Sequence, residues 1–328
     1  MKHISILVPK QAILGSIEGP RLVFTEVNAL LKRMGKPPLF EVQLAGLAAE
    51  TPVCGGMYTI STATLATDIT HTDLVIIPAL DGDLAHALEM NRNFIPWIIK
   101  QYQQGAEVAS LCLGAFLLAS TGLIRGRQCT THWAAVAAFR QMFPDVELVE
   151  DRLITDEHGI YSSGGAFSYL NLVLYLIEKY AGREMAVMCS KVFQIDIERV
   201  SQSAFIVFQG QKEHGDDLVK KAQTYIEDNV QEKITVDQLA DMLALGRRNL
   251  ERRFKKATTN SVMEYIQRVK VEAAKNSLES SRENVNEVMY QVGYTDPKAF
   301  RLTFKRITGL SPMQYRSKYS RSKGVAAA

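Results

Sequence analysis

The last third of this 328-residue chain carries one pattern twice: a short helix with an apolar face, a glycine-containing turn, and a second helix studded with Lys and Arg. The first copy runs from Ile234 through Leu239, Ala240 and Leu243, turns at Ala244-Leu245-Gly246, and continues from Arg247 to Lys256. The second runs from Val285 to Val292, turns at Gly293-Tyr294, and resumes from Asp296 to Arg306. Two such units in series demand a small all-helical domain. Helix-turn-helix geometry is also the one that lays its second helix in the major groove of duplex DNA.

A helix in that position must bury one stripe and present another. In the first copy Leu250 and Phe254 stand at i and i+4 and share the inner face, leaving Arg247, Arg248, Glu251, Arg252 and Lys255 around the other side. In the second, Phe300 and Phe304 repeat the anchor while Lys298, Arg301, Lys305 and Arg306 point elsewhere. Arg can bond guanine O6 and N7 in bidentate fashion, and Glu can accept from cytosine N4. Pro297 suits a first helical turn, with Asp296 as the N-cap. One basic run alone merely solvates a helix. Two with the same anchor spacing, each preceded by a helix and a turn, point to double-stranded DNA. The expected connecting helix, Val262 to Ser280, is about 28 Å long at 1.5 Å per residue, close to the roughly 34 Å between successive major-groove faces.

The length favours two or three domains, and 47% hydrophobic with 22% charged residues is the composition of a soluble globular protein. From Asp217 onward there are 21 Lys and Arg against 13 Asp and Glu, a balance of +8; the preceding part holds 17 against 22, or −5. An acidic body with a basic carboxyl-terminal module is the electrostatic footprint of a nucleic-acid binder. Cys54, Cys112, Cys129 and Cys189 lack metal-ligand or disulfide-framework spacing, so no metal or cofactor is implied and a reducing cytoplasm fits. No signal peptide is read at the start. The nearly uncharged stretch Val108 to Ile124 falls short of the roughly 20 residues of a membrane span and reads as strand, turn and helix.

Ahead of the basic module, β-rich runs alternate with helical patterns, the sign of an α/β fold with a mostly parallel sheet. Strands are expected at His3–Val8, Phe40–Leu44, Leu74–Pro78 and Glu107–Leu111, a hairpin over residues 153–162, and helices at Phe24–Met34, Phe94–Gln104 and Phe167–Tyr180, the last capped by Gly182. The expected division is a domain over 1–200, a linker over 201–217, the helical domain over 218–318 with a first helix at Leu218–Asn229, and a disordered tail over 319–328.

From Ile234 to Tyr315, including the late block Phe304-Lys305-Arg306-Ile307-Thr308-Gly309-Leu310-Ser311-Pro312-Met313-Gln314-Tyr315-Arg316, the chain resembles the DNA-binding domain of the AraC/XylS family of bacterial transcription regulators. The resemblance implies base-facing roles for Arg248, Glu251 and Arg252 in the first recognition helix and for Lys298 and Arg301 in the second. Members often carry a basic residue where Leu302 stands here, with a small polar one at the position of Arg301, which shifts Lys298 and Arg301 toward phosphate contacts.

The amino-terminal part holds a second constellation. The run Ser110-Leu111-Cys112-Leu113-Gly114-Ala115-Phe116 would place a thiol on a tight strand-to-helix elbow, a position that lowers thiol pKa, and Thr131-His132-Trp133 follows twenty positions later. With Tyr161-Ser162-Ser163-Gly164-Gly165, these segments resemble the PfpI-like branch of the class I glutamine amidotransferase-like superfamily, of flavodoxin-like fold. Catalytic relatives carry an acid where Ser16 stands, with Glu18 two residues away. Three roles are open for Cys112: an inert remnant lining a ligand pocket, part of an effector site, or a nucleophile. Trp133, Phe116 and Phe167 are either aromatic walls for a cationic ligand or ordinary core.

Taken in order, the two segments resemble the GlxA-type subgroup of AraC-family regulators. This implies a homodimeric DNA-binding activator that works on RNA polymerase. Its effector, an amino acid or quaternary amine, would bind near Cys112, His132, Glu18, Gly82 and Trp133. The alternative is a cysteine hydrolase or amidotransferase using Cys112, His132 and Glu18.

Overall fold

A computed structural model describes residues 1–197, 199 and 201–320. Contacts divide the chain into two compact units, Met1–Gln202 and Ser203 onward.

The first unit is built on a seven-stranded sheet. Its strands in spatial order are β10 (Ile154–Glu157), β11 (Ile160–Ser163), β7 (Glu107–Leu111), β6 (Leu74–Ile77), β1 (Lys2–Val8), β2 (Phe40–Gly46) and β5 (Thr64–Leu65). Every pairing is parallel except β10 with β11. That hairpin turns on His158 and Gly159, at φ 53° and 75°, as a two-residue turn with both φ positive requires. Two small pairs lie outside the sheet, β3 (Glu50–Val53) with β4 (Tyr58–Ser61) and β8 (Gln128–Cys129) with β9 (Glu147–Leu148). The main strands are apolar on both faces because both are covered. Ile4, Ile6, Val8, Leu74 and Ile76 face the layer of α1 (Leu14–Arg33), α6 (Tyr169–Ala181) and α7 (Arg183–Phe193). Leu7, Val75 and Ile77 face α2 (Leu84–Asn91), α3 (Phe94–Gln103), α4 (Ala115–Ser120) and α5 (Val136–Met142).

Several elements differ from the sequence expectation, among them α2, α5 and the short strands β3, β4, β5, β8 and β9, which it did not contain. Helix α1 begins at Leu14, ten residues before Phe24, and carries Pro20 in its interior. Proline there removes the bond to the Ser16 carbonyl, but packing overrides propensity: Tyr169 Oη donates to the Gly15 carbonyl at 2.6 Å and its ring fills the space that Gly19 leaves open. Helix α6 starts at Tyr169, so Phe167 lies before it and is 77% exposed. Helix α7 was not expected; Gly182, at φ 87°, ends α6 and starts it. The stretch from Val108 is strand, turn and helix as expected, and among the described residues no helix is long and apolar enough to cross a membrane.

The second unit is all-helical: α8 (Asp217–Asp228), α9 (Val236–Met242), α10 (Arg247–Thr258), α11 (Val262–Ser280), α12 (Val285–Gln291), α13 (Pro297–Thr308) and α14 (Pro312–Tyr319). It has two cores, one around Leu239, Leu250 and Phe254 and one around Val288, Phe300 and Phe304. Helix α11 spans the expected Val262–Ser280 and belongs to both, giving Tyr265 and Ile266 to the first and Val271, Ala274 and Leu278 to the second.

The supposed linker is a packed arm. Ile206 offers its carbonyl to Lys275 Nζ at 2.6 Å, Phe208 stands edge-on to Tyr265, Gln211 accepts from Asn260, and Asp216 caps α8. Ser201 and Gln202 belong to the first unit, where Gln202 is buried. Of the tail expected over 319–328, Tyr319 closes α14 and stacks on Tyr315, while 321–328 lie outside the described residues.

Gly114 shows how tightly the sheet edge is packed: a Cβ there would stand 2.5 Å from the Pro78 carbonyl oxygen and 2.6 Å from that of Ile77. Both obstacles are backbone, so Gly114→Ala is expected to destabilise the first unit by about 1–3 kcal/mol, read as a lower urea midpoint.

Candidate nucleic-acid interface and effector site

The two helix-turn-helix units share one scaffold. Thr258 and Thr308 each bond back to a phenylalanine carbonyl, Phe254 and Phe304, at 2.8 Å, and each hydroxyl accepts the N–H of the residue two positions on, at 3.2 Å. Each is followed by a residue in the left-handed region, Thr259 or Gly309, and then by a capping box at Ser261 or Ser311. The spacing is fifty residues from the recognition helices onward and forty-nine for the helices before them, Val236 against Val285. The fifty-residue register aligns Phe254-Lys255 with Phe304-Lys305, Tyr265 with Tyr315 and Arg252 with Leu302.

On α10, Leu250 and Phe254 are fully buried and Arg248, Arg252 and Lys255 are exposed. Arg247 bridges Asp237 at 3.0 Å and Glu251 at 3.3 Å, so the Glu251 carboxylate is already paired. Arg252 donates to Asn249 at 3.1 Å. Arg253, which the sequence reading passed over, forms a two-pronged pair with Asp216 at 2.7 and 2.8 Å; no local pattern links those positions. On α13, Phe300 and Phe304 are buried, the Asp296 side chain accepts from the Lys298 N–H at 2.8 Å, and Pro297 takes the first turn. Lys298, Arg301 and Lys305 are exposed and enter no ion pair among the described residues, whereas Arg306 donates to Gln267 on α11 at 2.6 Å. Leu302 is 61% exposed on the same face.

In the first unit, the parallel run of β1, β6, β7 and β11 brings the segments after Val8, Ile77, Leu111 and Ser163 to one sheet edge, where doubly wound folds bind small ligands. Gln11 and Gly82 meet there: a methyl on Gly82 would lie 3.7 Å from the Gln11 amide. Cys112 sits on the expected elbow, at φ 53°, a strained conformation for a residue with a side chain. Its environment differs from the expectation. The thiol is buried, and burial pushes its pKa up to about 11. Thr131 Oγ1 donates to the Cys112 carbonyl at 3.0 Å and so ties the following segment to the elbow.

His132 does not supply a base. Its Nδ1 accepts the Ala134 N–H at 3.2 Å, which leaves the proton of the neutral ring on Nε2, and desolvation holds its pKa below the ordinary value. Among the described residues no hydrogen bond joins it to Cys112. Trp133 lies 5.3 Å from the His132 ring, Phe167 is exposed beyond Ser163, and Phe116 is core. Glu18 is turned to Arg21 at 2.6 Å, which lowers its pKa, and Ser16 is buried with its Oγ between the Ile13 carbonyl and the Ala79 N–H. Gln202, absent from the sequence reading because it falls in a polar stretch, donates from Nε2 to the carbonyls of Thr131 and Glu150 at 3.0 and 2.9 Å.

Cys112 is thus a neutral, buried thiol with no hydrogen bond to His132 among the described residues. With a pKa near 11, about one Cys112 in a thousand is thiolate at pH 8. Iodoacetamide at that pH is expected to label exposed Cys54 and spare Cys112 in the native protein, read by peptide mass spectrometry.

Comparison with known proteins agrees with this division. Residues 239–318 match the family described as helix-turn-helix domain, and residues 24–179 match the DJ-1/PfpI family. The HTH-type transcriptional regulator GbdR of Pseudomonas aeruginosa is 26% identical over 251 residues, 73% of this chain and 66% of that protein. The HTH-type transcriptional regulator GlxA of Rhizobium meliloti is 24% identical over 213 residues, 63% of this chain and 64% of that one. The chain thus spans just under two thirds of the length of each. A crystal structure from Vibrio parahaemolyticus shares the fold over 58% of this chain and 98% of its own, with a TM-score of 0.53 at 17% identity. The chain therefore joins a DJ-1/PfpI-like amino-terminal domain to an AraC-type helix-turn-helix domain, and over both it is similar to HTH-type transcriptional regulators.

Proposed function

We propose that this protein is a sequence-specific transcription regulator that binds double-stranded DNA through α10 and α13 and answers to a small molecule held in the α/β unit. The observation that carries the reading is the pair of recognition helices on one repeated scaffold, each with its apolar anchor buried and its cations outward. Arg248, Glu251 and Arg252 are assigned to base edges. Arg247 orients Glu251, and Lys255, Lys298, Arg301, Lys305 and Arg306 are assigned to phosphate.

The effector site is assigned to the carboxyl edge of the sheet beside Cys112, His132, Gly82 and Trp133, with an amino acid or quaternary amine as its ligand class. Glu18 is left out of it, because Arg21 holds its carboxylate. The raised thiol pKa and the tautomer of His132 speak against the hydrolase alternative. A homodimer that activates transcription with RNA polymerase in the cytoplasm completes the reading, by analogy with the regulators it resembles.

Binding of the full chain to duplexes selected from a random pool is expected to weaken roughly a thousandfold between about 50 and about 200 mM salt. Arg252→Ala is expected to lose about 1–3 kcal/mol of discrimination at one base pair, while Lys305→Ala weakens all sequences alike and lowers the salt slope by about one. Failure of the parent protein to bind any duplex at low salt overturns the reading. For the effector, a thermal-shift screen of amino acids and betaines is expected to yield at least one ligand that raises the melting temperature, with the rise lost in Trp133→Ala.

A further inference from the structure

The middle of α11 holds a buried cation with no carboxylate partner among the described residues. Lys270 is 6% exposed, and its Nζ donates to the carbonyls of Val230 and Glu232, at 2.6 and 2.8 Å, and of Val292, at 2.8 Å. Val230 and Glu232 lie between α8 and α9 in the first helix-turn-helix unit. Val292 is the last residue before the turn of the second, at the C-terminal end of α12. One ammonium therefore uses its three protons to join the two units at backbone level, where no rotamer change of an acceptor can release it.

The seam has no slack. Gly293 is in the left-handed region at φ 71°, and a Cβ there would stand 2.4 Å from the Gln231 carbonyl oxygen and 2.6 Å from Lys270 Nζ. The turn of the second unit thus presses directly on the loop of the first. That turn is also the connection between α12 and α13, and Tyr294, the residue after Gly293, packs on Phe300 of α13. A shift at the seam is carried into the second recognition helix.

We propose that Lys270 is a positioning residue for DNA reading: by clamping the two units it fixes the separation and phase of α10 and α13, so that the protein accepts two half-elements at one spacing only. The proposal rests on the DNA-reading function stated above. Helix α11 by itself would join the units through a single rod, and the arm adds a strut along it, Phe205 on Tyr319 and Phe208 on Tyr265. The ammonium adds an attachment directly between the turns of the two units, off the rod axis, which restrains rocking and twisting there.

The test is selection by the full-length protein from a random-sequence duplex library, for the parent, Lys270→Met, Lys270→Arg and Gly293→Ala. The parent is expected to recover two half-elements at one separation. Lys270→Met is expected to recover the same half-elements at several separations, with affinity for the parental spacing down about tenfold and affinity for a single half-element unchanged. Lys270→Arg, which keeps the charge and the donors, is expected to retain the single spacing. Gly293→Ala, which keeps Lys270 but wedges the seam, is expected to relax it, and so supplies the answer if Lys270→Met does not fold. Parental spacing selectivity in Lys270→Met, or in Gly293→Ala where Lys270→Met is unfolded, overturns the positioning role. Loss of half-element sequence preference together with spacing would mark Lys270 as a general support of the fold and also overturns it. Recovery of no sequence by the parent overturns the DNA-reading function itself, and the positioning role with it.

Discussion

The helical unit depends on one arrangement: a single helix shared by two cores, locked at its midpoint by a buried ammonium. Burial pushes the pKa of Lys270 below the ordinary lysine value, so the charge is held against a desolvation cost. The three carbonyls explain why it is kept. An apolar side chain of the same length would avoid burying a charge but would orphan the oxygens of Val230, Glu232 and Val292, at about 1–3 kcal/mol for each acceptor left without a partner. A carboxylate partner would strengthen the charge pairing yet would satisfy no backbone. Lysine, with three donors on a flexible stem, is the side chain that closes a seam made of carbonyls.

The α/β unit shows the same economy of backbone. Its elbow is preserved in detail: a positive φ at Cys112, a glycine two residues on that fits only because it has no Cβ, and a strand pattern that delivers both to the sheet edge. The side chains around the elbow are engaged separately. Burial raises the thiol, His132 turns its lone pair to its own helical turn, and Glu18 is bound to Arg21. The elbow, with Cys112 at a positive φ, also ties down the segment that follows, since the Thr131 hydroxyl donates to the Cys112 carbonyl.

Much of this was legible in the sequence, and the exceptions have physical causes. Sequence patterns located the central strands β1, β2, β6 and β7, the hairpin, α11 to the residue, and the anchors Leu250, Phe254, Phe300 and Phe304, because burial alone selects those residues; the short strands β3, β4, β5, β8 and β9 carry no such pattern. Helix α1 was read short because Pro20 and two glycines argue locally against a helix, and only Tyr169, about 150 positions away, makes the turn favourable. The arm over 203–216 reads as a linker because its polar side chains are the contacts; Gln211 and Asp216 are pinned by residues from α10 onward. Lys270 did leave a trace. It occupies the stripe Ile266, Lys270, Ala274, Leu278 at four-residue spacing, where a charged residue is out of place.

The fifty-residue register makes the two readers comparable position by position. From the recognition helices on, the buried anchors and the capping boxes at Ser261 and Ser311 correspond, while the N-cap changes from Gly246 to Asp296 and the outer face from Arg247, Glu251 and Arg252 to Pro297, Arg301 and Leu302. On the first face the guanidiniums and carboxylate hold one another, Arg247 with Asp237 and Glu251 and Arg252 with Asn249. Side chains restrained in this way lose less freedom on meeting a base edge, and a misplaced partner leaves them unpaired, which is the condition for discrimination. On the second face Lys298, Arg301 and Lys305 surround an exposed leucine without ion pairs among the described residues. Unrestrained cations respond to any phosphate in reach. Under the proposed function, this contrast divides the labour between the helices: the first would choose a sequence, and the second would hold the duplex at the distance that α11 sets.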